Sequence, residues 1–311
     1  MLTVLIATYN GSATLERSLE NFTQVSNPKG GYKLVVVDNA STDNTPDILR
    51  SYETRLPLAW LRIERQGKNV ALNAGLVHAE GDLIVFTDDD TLVQKDWLVK
   101  LRGIADQHPE VAMWGGVIKP VWPRPPEPWI LDHVPLGAVY ALTDTAQVTG
   151  AISPDMLWGP NMAVRAQVFH EGHRFNEDIG PAAGQYTMGS EVEFTCRMAE
   201  AGFSSWFFRD AVVRHMIRPN QLDREWVIKR AYRFGKLKYF RKRSEPIYQS
   251  KLYKGVPRWM YLSLVKDYFK SWVHTLTGNQ ASKFIADWDL QYHLGYISAA
   301  WDSSDKSPAD R

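Results

Sequence analysis

The first hundred residues alternate between short apolar runs and helix-like segments, and this alternation restricts the fold more than any other feature of the chain. Apolar runs that predict strands buried on both faces occupy residues 2–10, 33–41, 58–64 and 82–90. Helical patterns separate these runs at residues 12–22, 42–52 and 68–81. Strands and helices that alternate in this way form right-handed βαβ units, so the sequence predicts an α/β fold with a mostly parallel sheet.

Three of the predicted strands run directly into polar residues. The first strand ends at Thr8 and Tyr9, the second at Asp38, and the fourth at three consecutive aspartates, 88–90. Ligands of open α/β sheets bind beyond the carboxyl ends of the strands. We therefore expect one ligand site at this edge of the sheet.

The three adjacent aspartates indicate a divalent cation. Neighbouring carboxylates repel one another, and a bound cation relieves that repulsion. The glycine-rich phosphate motifs are absent: beside Gly67-Lys68, the upstream glycine position of a Walker loop is Arg62. Because carboxylate oxygens favour Mg²⁺ or Mn²⁺, the sequence predicts one of these ions as the group that neutralises a phosphate ligand.

The composition changes along the rest of the chain. The chain has 311 residues, more than a typical single domain. Six prolines between residues 119 and 135 predict an extended connector, neither a regular helix nor an inner strand. We predict one domain over residues 1–221, in which this stretch separates a βα half at 1–118 from a second half at 119–221. Residues 222–311 form a C-terminal helical region.

The helical region contains a basic segment at residues 224–243, with nine Lys or Arg and one Glu. Three interpretations are open: a solvated helix with snorkelling cations, contact with anionic lipid or a lipid-diphosphate acceptor, or part of a lid over a diphosphate. The later amphipathic helices could pack on the main domain, lie on a membrane or form a dimer contact. Nucleic acid is not an expected partner, because the net charge of the chain is only +1.

The expected location is the cytoplasm. A single cysteine, Cys196, fits a reducing compartment, and no apolar run is long enough to span a bilayer. Association with the inner face of the membrane, through the C-terminal helices, stays open as an alternative.

The chain resembles the family 2 glycosyltransferases of the GT-A fold over about residues 2–220. The resemblance is carried by five segments in order: VLIATYNGSATLERSL, VVVDNASTDNTPDIL, KNVALNAGLVHAEGDLIVFTDDDTLVQKDWL, GPNMAVRAQVF and GSEVEFTCRMAEAGF. It implies a Rossmann-like mixed sheet of the nucleotide-diphospho-sugar transferase type, followed by a helical extension. It also implies that residues 1–118 are the nucleotide-binding half of the domain and residues 119–221 the acceptor half. It also implies transfer of a sugar from a nucleoside-diphosphate-sugar, most often a UDP-sugar, to a saccharide or lipid-linked saccharide acceptor in polysaccharide or glycoconjugate synthesis. A nucleotidyltransferase and a non-catalytic nucleotide-sugar-binding subunit are the alternatives.

The resemblance also implies donor-binding residues. Thr8 and Tyr9 match positions that line the nucleoside pocket, and Asp38 matches the acid that binds the base edge. Lys68 matches a basic residue near the nucleotide, although a solvated lysine at a helix start would fit as well. Trp158 and Asn161 match positions that face the sugar and acceptor, although Trp158 could instead be a packing residue and Asn161 a turn residue.

The metal site follows from the spacing to Asp96, which places the DxD aspartates of the family at Asp88 and Asp90. Asp90 is then the direct ligand of Mn²⁺ or Mg²⁺. Asp88 and Asp89 contact ribose, or the metal through water. His215 ends a predicted strand, where it completes the metal site, contacts the diphosphate or has a structural role.

The resemblance implies a general base at Glu191. Family members that invert the anomeric centre carry a Glu-Asp pair at a helix start, and here the pair reads Ser190-Glu191. This is a departure, since serine replaces the first acid and glutamate is one methylene longer than aspartate. A position near a helix N-terminus favours the ionised form that a base needs. Glu193, two positions later, is expected on another side of the helix.

Overall fold

The computed structural model describes residues 1–144, 146–182, 185–242, 245–249 and 251–304. These residues form two compact units. The first combines Met1–Val121 with Tyr140–Ile217, and the second combines Trp122–Val139 with the described residues from Arg218 onward. The predicted catalytic domain, residues 1–221, overlaps the first unit and also includes Trp122–Val139, which the structure groups with the helices of the second unit.

The first unit is built on a mixed sheet. Its strands are β1 (Leu2–Thr8), β2 (Tyr32–Asp38), β3 (Leu58–Arg62), β4 (Leu83–Asp88), β5 (Thr91–Val93), β6 (Met113–Val121), β7 (Gly150–Ala151), β8 (Met162–Arg165) and β11 (Ser205–Met216), and a separate hairpin contains β9 (Gly180–Ala182) and β10 (Gln185–Thr187). The strand order is β3-β2-β1-β4-β8-β6-β11-β5, and β7 pairs with β11. Strands β1 to β4 are mutually parallel, whereas β8 runs antiparallel to both β4 and β6. This confirms the predicted α/β class and the GT-A type of sheet.

Helices cover both faces of the sheet and complete the βαβ units. They are α1 (Leu15–Phe22), α2 (Thr45–Tyr52), α3 (Lys68–Leu76), α4 (Trp97–Gln107), α7 (Ala166–His170) and α8 (Ser190–Glu200). The central strands are buried on both faces, as their unbroken apolar runs predict. Gly75 lets α3 lie directly on β1, because a Cβ atom there would lie 2.3 Å from Leu5 Cδ1. The core therefore fixes the positions of the strand ends.

The proline-rich segment differs from the extended connector that the sequence predicted. Residues 119–121 continue β6 and pair with β11, where Pro120 lies opposite His215. A short helix, α5 (Pro128–His133), then begins at Pro128. Proline is compatible with the first turn of a helix, since the amide hydrogen that it lacks would have no helical partner there. A further short helix, α6 (Leu136–Tyr140), follows.

The second unit is helical, which confirms the predicted C-terminal helical region. After α5 and α6 it contains α9 (Arg224–Lys242), α10 (Pro246–Gln249), the short strands β12 (Leu252–Tyr253) and β13 (Val256–Pro257), α11 (Arg258–Leu276) and α12 (Gln280–Ser304). Two glycines allow α9 and α12 to pack closely. A Cβ atom at Gly235 would lie 2.0 Å from the Tyr292 carbonyl oxygen, and one at Gly295 would lie 1.9 Å from the Tyr232 carbonyl oxygen.

Residues 224–242 of the basic segment form α9, residue 243 lies outside the described residues, and several of the helix's cations lie over aromatic rings of the same helix. The Arg230 guanidinium lies 4.8 Å from the Trp226 ring centroid, and Lys236 Nζ lies 5.4 Å from that of Tyr232. Each cation is four residues from its ring, which is the spacing of neighbours on a helix surface. Of the three interpretations, this arrangement favours cations that extend over apolar groups of their own helix. Among the residues that the structure describes, no helix has the length and apolar character needed to cross a bilayer.

Candidate active site

The parallel register brings the ends of β1, β2 and β4 to one edge of the sheet. Thr8 pairs with Asp38 across β1 and β2, and Ala7 pairs with Asp88 across β1 and β4. The buried Thr8 hydroxyl donates a hydrogen bond to Asp89 Oδ2. The aspartate cluster therefore begins beside the end of β1, as the sequence predicted from the apolar runs.

Asp90 and His215 meet at the same edge. His215 pairs with Thr91 across β11 and β5, which places its ring beside the preceding residue, Asp90. His215 Nε2 lies 3.2 Å from Asp90 Oδ1, and both side chains are largely buried. The other ring nitrogen, Nδ1, lies 2.8 Å from the Tyr140 carbonyl oxygen. Because a carbonyl oxygen only accepts, Nδ1 carries the hydrogen and Nε2 is the atom directed at Asp90.

This arrangement stabilises the charged imidazole. Burial alone would lower the pKa of His215, but the adjacent Asp90 carboxylate outweighs it and raises the pKa to about 9. Without a bound cation, the two side chains form an ion pair at neutral pH. Asp90 is therefore balanced by a positive charge at the position where the sequence predicted a metal.

Lys68 joins two acids that are far apart in the sequence. Its ammonium group lies 2.9 Å from Asp88 Oδ1 and 2.7 Å from Glu191 Oε1. The three side chains keep only about a fifth of their surface exposed, at 21%, 22% and 19% for Lys68, Asp88 and Glu191. Lys68 thus connects Asp88 of the aspartate cluster to the candidate base.

The protonation states follow from these contacts. Burial would lower the pKa of Lys68, but Asp88 and Glu191 raise it well above its ordinary value. Burial would raise the pKa of Glu191, but Lys68 lowers it below the ordinary value of 4.5. For Asp88, burial and the negative charges of Asp90 and Glu191 raise the pKa in spite of Lys68. Glu191 is therefore ionised at neutral pH, as a general base must be.

Local backbone features position Glu191. Helix α8 begins at Ser190, after Gly189 adopts a left-handed conformation with φ 94°. The buried Ser190 hydroxyl donates to Asn69 Oδ1, and the Asn69 amide donates to the Asn176 and Ile179 carbonyl oxygens. Serine at the position of the first acid thus ties the start of α8 to α3. Glu193 bonds to Arg197 on another side of the helix, as expected.

Gly159 also helps to position Glu191, and the sequence reasoning did not identify it. A Cβ atom at residue 159 would lie 2.4 Å from Glu191 Oε1, so the carboxylate occupies space that any other residue would fill. Gly159 stands next to Trp158 in the WGPNM segment, which the resemblance had already marked. Trp158 itself is partly exposed.

Asp38 and Tyr9 occupy different environments at the same edge of the sheet. Asp38 is fully buried, with Oδ2 2.9 Å from Arg62 Nη1 and Oδ1 accepting the Ser41 amide hydrogen. Tyr9 is 49% exposed. Arg62 is the cation that balances Asp38. The sequence reasoning considered Arg62 only because it stands where a Walker loop would have glycine.

Asn161 differs from the prediction that it faces the sugar or acceptor. Its side chain is 1% exposed, and its amide group donates to the carbonyl oxygens of Val117 and Ala211. Its Oδ1 accepts a hydrogen bond from Trp97 Nε1. These bonds make Asn161 a brace between β6, β11 and α4, which leaves its side chain no face toward a ligand.

The residues at this edge fit a divalent cation that also binds the substrate. In the described part of the chain, no set of three or more His, Cys, Asp or Glu side chains could hold a metal ion alone. Mg²⁺ is commonly held by one or two protein ligands together with substrate phosphates. Asp90 Oδ1 and His215 Nε2 provide two such atoms. The bond from Nδ1 to a backbone carbonyl is the contact that usually orients a metal-binding histidine.

The fold defines a class of protein before any relative is considered. A mixed sheet with a reversed strand beside β4, and acids, a lysine and a histidine at its carboxyl edge, is the arrangement that the resemblance to the GT-A fold implies. The family model described as Glycosyl transferase family 2 matches residues 3–172, more than half of the chain. The chain belongs to this family and is a glycosyltransferase.

Similar proteins agree with this assignment. The chain is 28% identical over 240 residues to glycosyltransferase AglE of Haloferax volcanii, an alignment that covers 76% of this chain and 72% of AglE. Its fold is similar to that of mannosyltransferase PcManGT from Pyrobaculum calidifontis, solved with GDP-Man and Mn²⁺ (TM-score 0.56, 24% identity, covering 99% of this chain and 76% of that one). It is also similar to the fold of Staphylococcus aureus TarS residues 1–349, solved with UDP-GlcNAc (TM-score 0.56, 17% identity, covering 95% and 90%).

Proposed function

We propose that this glycosyltransferase is metal-dependent and inverting, and that it moves a sugar from a nucleoside-diphosphate-sugar to an acceptor hydroxyl. The observation that carries the proposal is the contact of Lys68 with both Asp88 and Glu191, beside the Asp90–His215 pair. A base, a cation and a pair of candidate metal ligands thereby lie at one sheet edge. The complexes of PcManGT with GDP-Man and Mn²⁺ and of TarS with UDP-GlcNAc support this class of donor.

Glu191 is the proposed general base. Its Oε1 is bonded to Lys68, so we assign Oε2 to accept the proton of the acceptor hydroxyl. As that proton leaves, the acceptor oxygen forms a bond to the anomeric carbon, and the bond from this carbon to the diphosphate oxygen breaks. The electron pair of the broken bond goes to the diphosphate. One displacement from the opposite face inverts the anomeric centre.

Lys68 is the proposed link between donor binding and the base. Its ammonium group keeps Glu191 ionised, and its contact with Asp88 places it at the edge where the diphosphate would bind. A cation fixed at this position stabilises the negative charge that develops on the leaving diphosphate. A divalent ion held by Asp90 and His215 would supply further positive charge for the same purpose.

We further propose that Thr8, Tyr9 and Asp38 form the nucleoside end of the site. Asp38 would act there by holding Arg62, with which it forms an ion pair. Asp88 and Asp89 would support the ribose or the metal. A saccharide or lipid-linked saccharide in polysaccharide synthesis is the proposed acceptor, and UDP the proposed nucleotide. A cytoplasmic location stays a prediction, with association at the inner face of the membrane as its alternative.

A thermal-shift panel and an analysis of product stereochemistry test the proposal. We expect UDP, or another nucleoside diphosphate, to raise the melting temperature only when Mn²⁺ or Mg²⁺ is present. We expect NMR of the initial product to show the opposite anomeric configuration from that of the donor. Stabilisation without metal would contradict the metal dependence, and retention of configuration would contradict the role of Glu191 as a base.

A further inference from the structure

Helix α11 exposes a line of large apolar side chains. Leu262, Val265, Phe269, Trp272 and Leu276 are 74%, 67%, 61%, 55% and 68% exposed. Their spacing of three and four residues places them along one face of the helix. Tyr268, 68% exposed, widens this face. We call these six residues the α11 stripe.

The opposite face of α11 is fixed against α12, so the stripe must face outward. Met260 is fully buried, and Asp267 is 5% exposed with Oδ2 3.0 Å from His293 Nδ1 on α12. Ser271, on the same inner face, bonds to Asp287 of α12. These contacts set the rotation of α11 about its axis and leave the stripe uncovered within the described chain.

The exposed charged side chains of α11 beside the stripe are all positive. Lys266 and Lys270 are exposed and line one edge of it, and Arg258 stands at the start of the helix. Lys270 is 45% exposed, and its Nζ lies 3.7 Å from Asp267 Oδ1. The acidic residue of α11 is Asp267, on the buried face. An apolar and aromatic stripe with a cationic edge is complementary to an anionic lipid surface.

We propose that the α11 stripe docks on an anionic phospholipid bilayer, with the helix lying in the plane of the interface. Its aliphatic and phenyl groups would enter the boundary between headgroups and acyl chains. Trp272 and Tyr268 have the amphipathic rings that favour that depth. Lys266 and Lys270 would extend to the phosphate groups while their methylene stems cover the apolar edge.

The charges favour a lipid surface over a second copy of the chain. A second copy would bring the same lysines and no exposed acid on α11, whereas a bilayer that contains phosphatidylglycerol supplies negative charge along the whole edge. The structure also favours α11 over the basic segment as the element that would contact a membrane. Three cations of α9, Arg230, Lys236 and Lys238, lie over rings of their own helix, whereas the side chains of the α11 stripe are exposed.

Co-sedimentation of the full chain with vesicles tests the proposal. Vesicles of phosphatidylcholine containing about one-third phosphatidylglycerol are compared with pure phosphatidylcholine, without donor or acceptor. We expect wild-type protein to bind the anionic vesicles, and Leu262→Gln/Phe269→Gln to weaken that binding at least about tenfold. The matched control is Val77→Gln/Val148→Gln, which changes two side chains with exposures of 76% and 64% elsewhere and should bind like wild type.

A charge variant keeps the test independent of the apolar substitutions. Lys266→Glu/Lys270→Glu should lose most of the preference for anionic vesicles, whereas Lys29→Glu/Lys95→Glu, at two exposed lysines of the first unit, should keep it. Equal binding by the apolar variant and wild type would overturn the proposal, as would absence of wild-type binding. Sedimentation velocity without lipid gives a further test: a wild-type dimer that Leu262→Gln/Phe269→Gln converts to a monomer would assign the stripe to a second copy.

Because the vesicle experiment contains no substrate, its failure would leave the proposed transferase activity untouched. Conversely, a protein that transfers no sugar could still bind vesicles. The two proposals therefore fail separately.

Discussion

The carboxyl edge of the sheet and the outer face of α11 present opposite kinds of surface. At the sheet edge, charged side chains are mostly buried, and each acid discussed has a partner, as in the contacts of Lys68 with Asp88 and Glu191. On α11, large apolar side chains are exposed. Burying charge is costly unless it is paired, and exposing a continuous apolar face is costly unless another surface covers it. The comparison supports both proposals, a small charged ligand at the first region and an extended surface at the second.

The largest expected effect comes from removing the candidate metal ligand. Asp90→Asn should lower the transfer rate by about a thousandfold, because it weakens binding of the proposed metal ion, which would offset charge on the leaving diphosphate. It should also abolish metal-dependent stabilisation by the nucleoside diphosphate in a thermal-shift assay. Asp96→Asn is the matched control, since Asp96 is exposed and pairs with Lys100. If both variants keep metal-dependent stabilisation, Asp90 does not hold the ion.

Lys68→Met should lower both activity and stability. It leaves Asp88 and Glu191 partly buried without their cation, which should reduce the free energy of unfolding by about 2 kcal/mol at pH 7. The transfer rate should fall by about a hundredfold, since the diphosphate also loses a cation. Denaturant unfolding and steady-state kinetics measure the two effects.

The pH dependence of Lys68→Met checks the cause of that loss. The folded-state pKa of Glu191 lies below its ordinary 4.5, so its stabilising contribution is present above about pH 4.5 and is lost as the pH falls through the lower value. Without Lys68 the pKa of Glu191 should rise, and the acidic limb of the pH–rate profile should move to higher pH. An unchanged acidic limb would mean that Lys68 does not set the protonation of the base.

A glycine substitution in the second unit should act on stability through packing alone. Gly235→Ala places a methyl group 2.0 Å from the Tyr292 carbonyl oxygen, so α9 and α12 must separate. We expect a loss of about 2 kcal/mol in the free energy of unfolding. Gly103→Ala in α4, where a Cβ atom meets nothing within 4 Å, should instead be neutral or slightly stabilising. Equal melting temperatures for the two variants would contradict the close packing of α9 on α12.

The smallest of these effects is expected at Gly159. Gly159→Ala should displace the Glu191 carboxylate and lower the transfer rate by about tenfold, because a small misplacement of a catalytic group slows the reaction. Binding of the nucleoside diphosphate, measured by calorimetry, should change little. Gly103→Ala serves again as the control, and it should transfer sugar at the wild-type rate.

The sequence predicted the sheet edge because the relevant information is local. Each apolar run stops at a polar residue, and parallel strands bring those stops together, so the convergence of Thr8, Asp38 and Asp88 could be anticipated. The bridge from Lys68 to Glu191 could not, because the two residues are 123 positions apart and nothing in either segment specifies the contact. Asn161 is the reverse case. It is a polar residue in a segment that carries the family resemblance, but its side chain forms hydrogen bonds within the core and does not face a ligand.

The helical unit was harder to predict for a related reason. The spacing of Leu262, Val265 and Phe269 shows in the sequence that α11 has an apolar face. The sequence does not show which of its faces α12 covers, and that decides whether the stripe is core or surface. The prediction of an extended connector was wrong at Pro128, where α5 begins. Proline disrupts the interior of a helix but is well tolerated in its first turn.

The transfer rate of Glu191→Gln relative to Glu193→Gln tests the central claim most directly. Both substitutions remove one negative charge from the same turn of α8, and glutamine at 191 can still accept a hydrogen bond from Lys68. We expect Glu191→Gln to lower the rate at saturating donor and acceptor by about a thousandfold, while nucleotide affinity stays within about twofold. Glu193→Gln, which loses only its bond to Arg197, should stay near the wild-type rate. Comparable rates for Glu191→Gln and Glu193→Gln would contradict the assignment of Glu191 as the base.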